Sequence, residues 1–278
     1  MSTCTAAAAI LERLDKREAI ENKVVIVVAH PDDETIGMGA QLCRFPDGLL
    51  VHVTDGAPRD GRDANARGYA TIAEYAVVRR TELAAALEIG QARGLRTEAI
   101  GIPDQEACFY LAELTTRLLR LLRTEAPRAV FVHAYEGGHP DHDAASFAVG
   151  AACGLIEARE GSAPAIIEMT GYHAVSGGLA TGVFLPSQRA VTALKLTEEE
   201  RLRKKRMIGC FASQCELLAG FAVEAENFRE APQYDFRQPP HRGELHYDRL
   251  GWQVNGALWR QQARSALDQL GLPAWRSG

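Results

Sequence analysis

Two apolar, largely β-branched runs lead toward nearly the same polar word. Residues 24–29 (VVIVVA) pass directly into His30-Pro31-Asp32-Asp33-Glu34, and residues 129–132 (AVFV) precede His139-Pro140-Asp141-His142-Asp143. A run that is apolar at every position suits a strand covered on both faces, as in a parallel sheet flanked by helices. In open sheets of that kind, ligands bind at the carboxyl ends of the strands. The two histidine clusters can therefore meet at one edge of a sheet, and that edge is where a site is expected.

The rest of the chain fits such a sheet. An amphipathic helix is predicted over residues 5–20, with Ile10, Leu11 and Leu14 on one side. Residues 49–54 and 97–102 read as strands, each followed by an aspartate, Asp55 and Asp104. Residues 79–87, 111–124 and 144–158 read as helices, and residues 165–169 lead into a later strand at Tyr172-His173. A long helix is predicted over residues 196–211. The alternation predicts a Rossmann-like α/β fold, a mostly parallel sheet with helices on both faces. Beyond Phe228 the composition shifts toward Pro, Arg, Gln and aromatics, which predicts an irregular C-terminal extension. The expected division is an N-terminal helix in 1–21, a main domain in 22–227 and an extension in 228–278 packed on that domain.

Composition narrows the function classes. The chain has 278 residues, 46% of them hydrophobic and 24% charged, enough to bury one sizeable core. A net charge of -5 argues against a nucleic-acid partner, which needs a basic face. The one basic run, residues 201–206 (RLRKKR), follows Glu198-Glu199-Glu200 and reads as a solvated helix matched to its dipole. The cysteines Cys4, Cys43, Cys108, Cys153, Cys210 and Cys215 form no CxxC pair and read as reduced thiols. With no secretory pattern and no apolar run near the length of a membrane span, a cytoplasmic protein is expected.

The clusters carry the chemistry. A zinc site that activates water uses three protein ligands and keeps a fourth position open. His30, Asp33 and His142 supply two nitrogens and one oxygen, a set suited to Zn²⁺ and open to other divalent transition metals. Asp32 is then free to act as general base. His139 can face the other side of a reacting carbonyl, with Asp141 fixing its tautomer. One such cluster alone can be an ordinary helix start, with proline in the first turn and an aspartate cap. Capping leaves unexplained why histidine opens both.

Residues 29–34 (AHPDDE) together with residues 139–142 (HPDH) resemble the LmbE-like, or PIG-L, family of zinc-dependent N-acetylglucosamine deacetylases. Thr54-Asp55-Gly56, Arg79 three residues before Glu82, and Ser213-Gln214 after the basic run support the resemblance, which spans about residues 22–215. It implies His30, Asp33 and His142 as metal ligands, Asp32 as base, and His139 as the group that stabilises the oxyanion or protonates the amine, with Asp141 its partner. It further implies that Arg79 contacts substrate hydroxyls or phosphate. Asp55 and Asp104 are expected to line the substrate pocket. The implied partner is an N-acetylated amino sugar or glycoconjugate. Some members carry a tyrosine where this chain has Gly137, and Tyr135 is the candidate substitute.

Other readings remain. A sugar- or nucleotide-binding protein with an inactive metal site fits the same strand pattern, as does a metal-dependent hydrolase of another amide. No Gly-x-Gly-x-x-Gly or P-loop opens a helix. His52 and His133 read as packing residues, His173 as a structural histidine and Glu136 as a second-rank partner of the site. Tyr234, Phe236, Tyr247 and Trp252 could stack on a sugar, form a lip over the site or make a homo-oligomer contact.

Overall fold

The computed structural model describes residues 5–272. Its strands are β1 (Val24–Val28), β2 (Gly48–Thr54), β3 (Leu95–Ile102), β4 (Ala129–His133), β5 (Ala165–Met169), β6 (Tyr172–Val175), β7 (Gly178–Thr181), β8 (Val191–Lys195) and β9 (Ala225–Glu230). Its α-helices are α1 (Ala6–Asp15), α2 (Asp33–Met38), α3 (Arg62–Ala66), α4 (Ile72–Ile89), α5 (Leu111–Glu125), α6 (Pro140–Glu160), α7 (Glu198–Ile208), α8 (Cys215–Leu218), α9 (His246–Arg249) and α10 (Gly256–Gln269).

Seven strands form one sheet in the order β3-β2-β1-β4-β5-β9-β8. The pairs from β3 to β5 are parallel, while β9 runs antiparallel to β5 and β8 antiparallel to β9. The fold class is the expected one. From β1 the chain moves outward through β2 and β3, then returns to place β4 on the other side of β1. That reversal opens a crevice at the carboxyl ends of β1 and β4. Val24 pairs with Ala129 and Val27 with Val132, so the two strands end level and both histidine clusters start at the crevice.

Each strand splits its side chains between two cores. Val25, Val27, Val130 and Val132 pack with Leu114, Leu118, Phe147 and Trp259 beneath α5, α6 and α10. Val24, Ile26, Val28 and Phe131 pack on the opposite face with Leu11, Leu14, Met207 and Phe228. This is the two-sided burial that the apolar runs predicted.

Several boundaries differ from expectation. α1 stops at Asp15, and Arg17 then takes a left-handed φ of 59 that no helix continues through. α4 begins at Ile72, where Thr71 and Glu74 form a capping box present in the sequence as T-x-x-E. α6 begins at Pro140, so most of the second cluster is the first turn of a helix. Strands β8 and β9 went unrecognised because they mix charged and apolar residues. The extension is irregular only in part, since it ends in the 14-residue α10. Among the described residues no helix is long and apolar enough to cross a membrane. The five described cysteines are free thiols, and Cys4 lies outside the described residues.

The basic run is not wholly solvated. Within α7, Lys204 is buried and its Nζ donates to Glu226 Oε1 at 2.7 Å and Ile36 O at 2.8 Å. Glu226 also accepts from Ala40 N at 2.9 Å and Gln41 Nε2 at 3.1 Å. This knot pins α7 and β9 to the segment after α2. Removing one member of a buried pair typically costs about 3–5 kcal/mol because the other charge is stranded. Lys204→Met is therefore expected to lower stability by about that amount, read from the midpoint of urea unfolding.

Candidate active site

The loop after β1 carries His30 and Pro31 into α2. Asp33 Oδ2 accepts the His30 backbone N–H at 2.7 Å and lies 3.2 Å from His30 Nδ1. The same oxygen lies 3.3 Å from His133 Nε2, and Oδ1 lies 3.1 Å from His142 Nε2. Burial opposes a charge on Asp33, yet His142, His133 and His30 together hold its carboxyl well below the usual range. The rings of His133 and His142 stack at 3.9 Å with planes 8° apart. His133 Nε2 also accepts the Ala29 N–H at 3.0 Å, which makes it part of the site rather than a packing residue.

On the other side, His30 Nε2 lies 3.0 Å from Asp104 Oδ1 and 3.3 Å from Asp141 Oδ2. Burial works against an imidazolium there, but the Asp104 and Asp33 carboxylates raise the His30 pKa well above its ordinary value. Asp141 does not pair with the His139 ring through its side chain, since its Oδ2 lies 4.0 Å from Nδ1. Its backbone N–H instead donates to His139 Nδ1 at 3.1 Å. That bond leaves the ring proton on Nε2, so the tautomer is fixed by main chain rather than by carboxylate. His139 thus caps α6, a use of histidine that helix capping had left unexplained in the sequence. The Asp141 carboxylate accepts from Gln105 N at 2.6 Å and Ala107 N at 3.0 Å. It anchors the loop that presents Asp104.

Asp32 stands where a helix cap would, but its side chain makes no capping bond. Its carboxylate accepts from Arg79 Nη2 at 3.0 Å, and burial lifts its pKa to about 7 against the pull of the guanidinium. Its φ of 146 with ψ of -25 lies in a region that suits glycine. Arg79, on α4, is buried with Nε and Nη1 lacking any hydrogen-bond partner.

A cavity of about 230 Å³ opens here. His30, Asp32, Asp33, Arg79, Asp104, His139 and His142 all line it. Asp55 does not. Its carboxylate accepts from Ala57 N at 3.0 Å, capping its own turn, and the structure does not bring it into the cavity lining with the other expected residues. Tyr135 is equally remote in function: its hydroxyl donates to Gln238 O at 2.8 Å, and its ring packs on Phe236 and Trp259. Tyr172 lines the cavity instead, 5.3 Å from the His142 ring. Gly138 permits this, because a Cβ there would sit 1.9 Å from Tyr172 O. His173 and Glu136 pair with each other at 3.2 Å, and His52 pairs with Glu34 at 3.0 Å.

Among the described residues, potential ligand atoms gather within 4.8 Å of one another in three groups. They are His30, His139 and His142; His30, Asp104, His139 and Asp141; and Asp33, His133 and His142. The trio expected from sequence is not itself one of these groups; its members are joined in pairs through the two oxygens of Asp33. His30 Nδ1 lies 3.2 Å from one Asp33 oxygen and His142 Nε2 lies 3.1 Å from the other, so the carboxylate bridges the two imidazoles. Asp32, Asp33, Asp104 and Asp141 converge with Arg79 as their nearest permanent cation, so the donor set suits a divalent ion. His133, Tyr172 and Gln214 were missed as site residues. His133 carried a signal as the last residue of the strand beside β1, and Gln214 through the Ser213-Gln214 match, whereas Tyr172 carried none.

The acid–imidazole cluster thus sits at the strand reversal of an α/β sheet, the place where such sheets bind ligands. Residues 25–153 match the PIG-L family model, described as GlcNAc-PI de-N-acetylase. No curated protein sequence matches the chain. Solved structures of the same fold include a deacetylase of teicoplanin biosynthesis, 17% identical with a TM-score of 0.57 over 74% of this chain and 96% of that one. N,N'-diacetylchitobiose deacetylase from Pyrococcus horikoshii is 19% identical, with a TM-score of 0.55 over 81% and 90%. The 4-carboxy-2-hydroxymuconate hydratase GalB from Pseudomonas putida is 20% identical, with a TM-score of 0.51 over 71% and 82%. At these identities the likeness is one of fold.

The backbone at Asp32 gives a test free of the carboxylate. Asp32→Gly and Asp32→Ala both lose the side-chain charge, but only glycine adopts this φ without strain. Asp32→Gly should be the more stable by about 1 kcal/mol or more, reversing the usual order of the two residues. Equal unfolding midpoints would show the backbone to be unstrained.

Proposed function

We propose that the protein is a metal-dependent N-deacetylase that hydrolyses the acetamide of an amino sugar or sugar conjugate. The observation that carries this reading is the Asp33 carboxylate facing His30 and His142 beside a buried Asp32 held by Arg79. His30, Asp33 and His142 would hold the ion, zinc being favoured by the two-nitrogen, one-oxygen set. When bound, such an ion polarises an acyl carbonyl and makes water a usable nucleophile near neutral pH.

The chain's own groups do the rest. Asp32 takes a proton from the attacking water, and the Arg79 Nη2–H keeps its carboxylate aimed. His139, neutral and protonated on Nε2, donates to the oxyanion as the carbonyl becomes tetrahedral. The water oxygen joins the acetyl carbon, the C–N bond breaks, and the proton held by Asp32 passes to nitrogen. Acetate and a free amine leave.

Acetate release from a panel of N-acetyl amino sugars tests the reading. Turnover should require added zinc and vanish with a chelator. Asp32→Ala should lower kcat by about 10²–10⁴ while zinc stays bound, whereas Asp33→Ala should lose both. Wild-type turnover by Asp32→Ala would remove the base assignment. Zinc bound without acetate release from any amide would favour a binding protein or, as the hydratase neighbour illustrates, water activation on another bond.

A further inference from the structure

The cavity lining is of two unlike kinds. One is polar and acidic, with Asp32, Asp33, Asp104 and, at the exposed rim, Asp63. The other is made by Ile36, Leu217, Leu218, Leu250 and Trp252. Leu218 is buried, but Leu217 and Leu250 are 44% and 42% exposed, although they come from segments far apart in sequence. Single exposed leucines need no explanation, whereas two that converge on one polar pocket mark a contact surface. Trp252 is half-buried beside them, with its ring edge-on to His139 at 4.9 Å.

We propose that the substrate is an N-acyl amino sugar bearing an apolar aglycone, with the sugar in the cavity and the aglycone across Leu217, Leu250 and Trp252. This rests on the deacetylase reading above. At about 230 Å³ the cavity is smaller than the roughly 300–1,000 Å³ that engulfs a drug-sized ligand. It takes one sugar-sized unit, and whatever the sugar carries lies outside. Charge selects against a phosphorylated aglycone. Arg79 is the only arginine or lysine among the described residues lining the cavity, and its Nη2 is engaged by Asp32. A phosphate leaving by this mouth would meet the Asp63 carboxylate, and the neighbouring Arg67 already pairs with Glu216 at 3.6 Å.

The test compares acetate release by zinc-loaded enzyme from hexyl N-acetyl-β-glucosaminide, free N-acetylglucosamine and UDP-N-acetylglucosamine. The wild type should favour the hexyl glycoside over the free sugar on the order of tenfold in kcat/KM, with the UDP conjugate poorest. In a Leu217→Ser/Leu250→Ser variant, whose changes fall on exposed positions, that ratio should collapse toward parity. Equal rates on hexyl and free sugar, a preference for the UDP conjugate, or a ratio unmoved by the variant would overturn the proposal. If none of the sugars releases acetate, the deacetylase reading is what fails. Calorimetric binding then decides the apolar collar: tighter binding of the hexyl glycoside than of the free sugar, lost in the variant, supports it, and equal binding rejects it.

Discussion

The Asp33 carboxylate is the tie on which the site depends. It gathers a backbone N–H and three imidazoles from three segments: the loop after β1, the end of β4 and the first turn of α6. A carboxylate in the interior costs several kcal/mol unless its oxygens are met by donors or cations. Once the sheet reversal buries Asp33, the histidines must converge on it, and the crevice acquires nitrogen donors at fixed spacing. The same requirement works outward. Asp141, buried in the next turn, is met by Gln105 N and Ala107 N, and this draws the loop after β3 across the crevice until Asp104 reaches His30.

One face of α4 sets the opposite wall. Tyr75, Arg79 and Glu82 follow one another at helical spacing. Arg79 holds Asp32, the Tyr75 hydroxyl accepts from Gln214 Nε2 at 2.6 Å, and Glu82 accepts from Ser213 N at 2.8 Å and Ser213 Oγ at 2.6 Å. The Arg-x-x-Glu and Ser-Gln pairs seen in the sequence thus belong to a single device. A rigid helix fixes both the candidate base and the Gln214 edge of the pocket, so a shift of α4 would move the two together.

What the sequence made legible follows from local physics. Strands β1 and β4 were readable because burial on both faces makes every position apolar, and the histidine clusters because their residue types are costly in an apolar setting. Asp55 and Asp104 show where local reading stops. Both follow a strand, and nothing nearby in sequence separates them. Asp55 finds the Ala57 N–H within its own turn, whereas Asp104 is carried to His30 by bonds from Gln105 and Ala107 to a residue more than thirty positions away. His133 likewise looked like the end of an apolar run until the pairing of β1 with β4 set it beside Ala29. Lys204 looked solvated because its partner Glu226 lies on a strand whose mixed charged and apolar residues hide it in the sequence.

The C-terminal segment has a definite task in this arrangement. His246 N donates to Gly137 O at 2.8 Å, Tyr247 Oη donates to Asp143 Oδ2 at 3.2 Å, and Trp259 Nε1 donates to Pro140 O at 2.9 Å. All three contacts land on the second histidine cluster or its approach. Gly137 is held there at φ 72, which glycine tolerates readily and a tyrosine would not. The position that carries a tyrosine in some relatives is therefore occupied by a turn that the extension clamps from outside. The same clamp brings Trp252 against His139. Residues 246–259 supply rigidity that β4 and α6 do not supply for themselves, together with Leu250 and Trp252 of the apolar lining, so the extension forms part of the pocket.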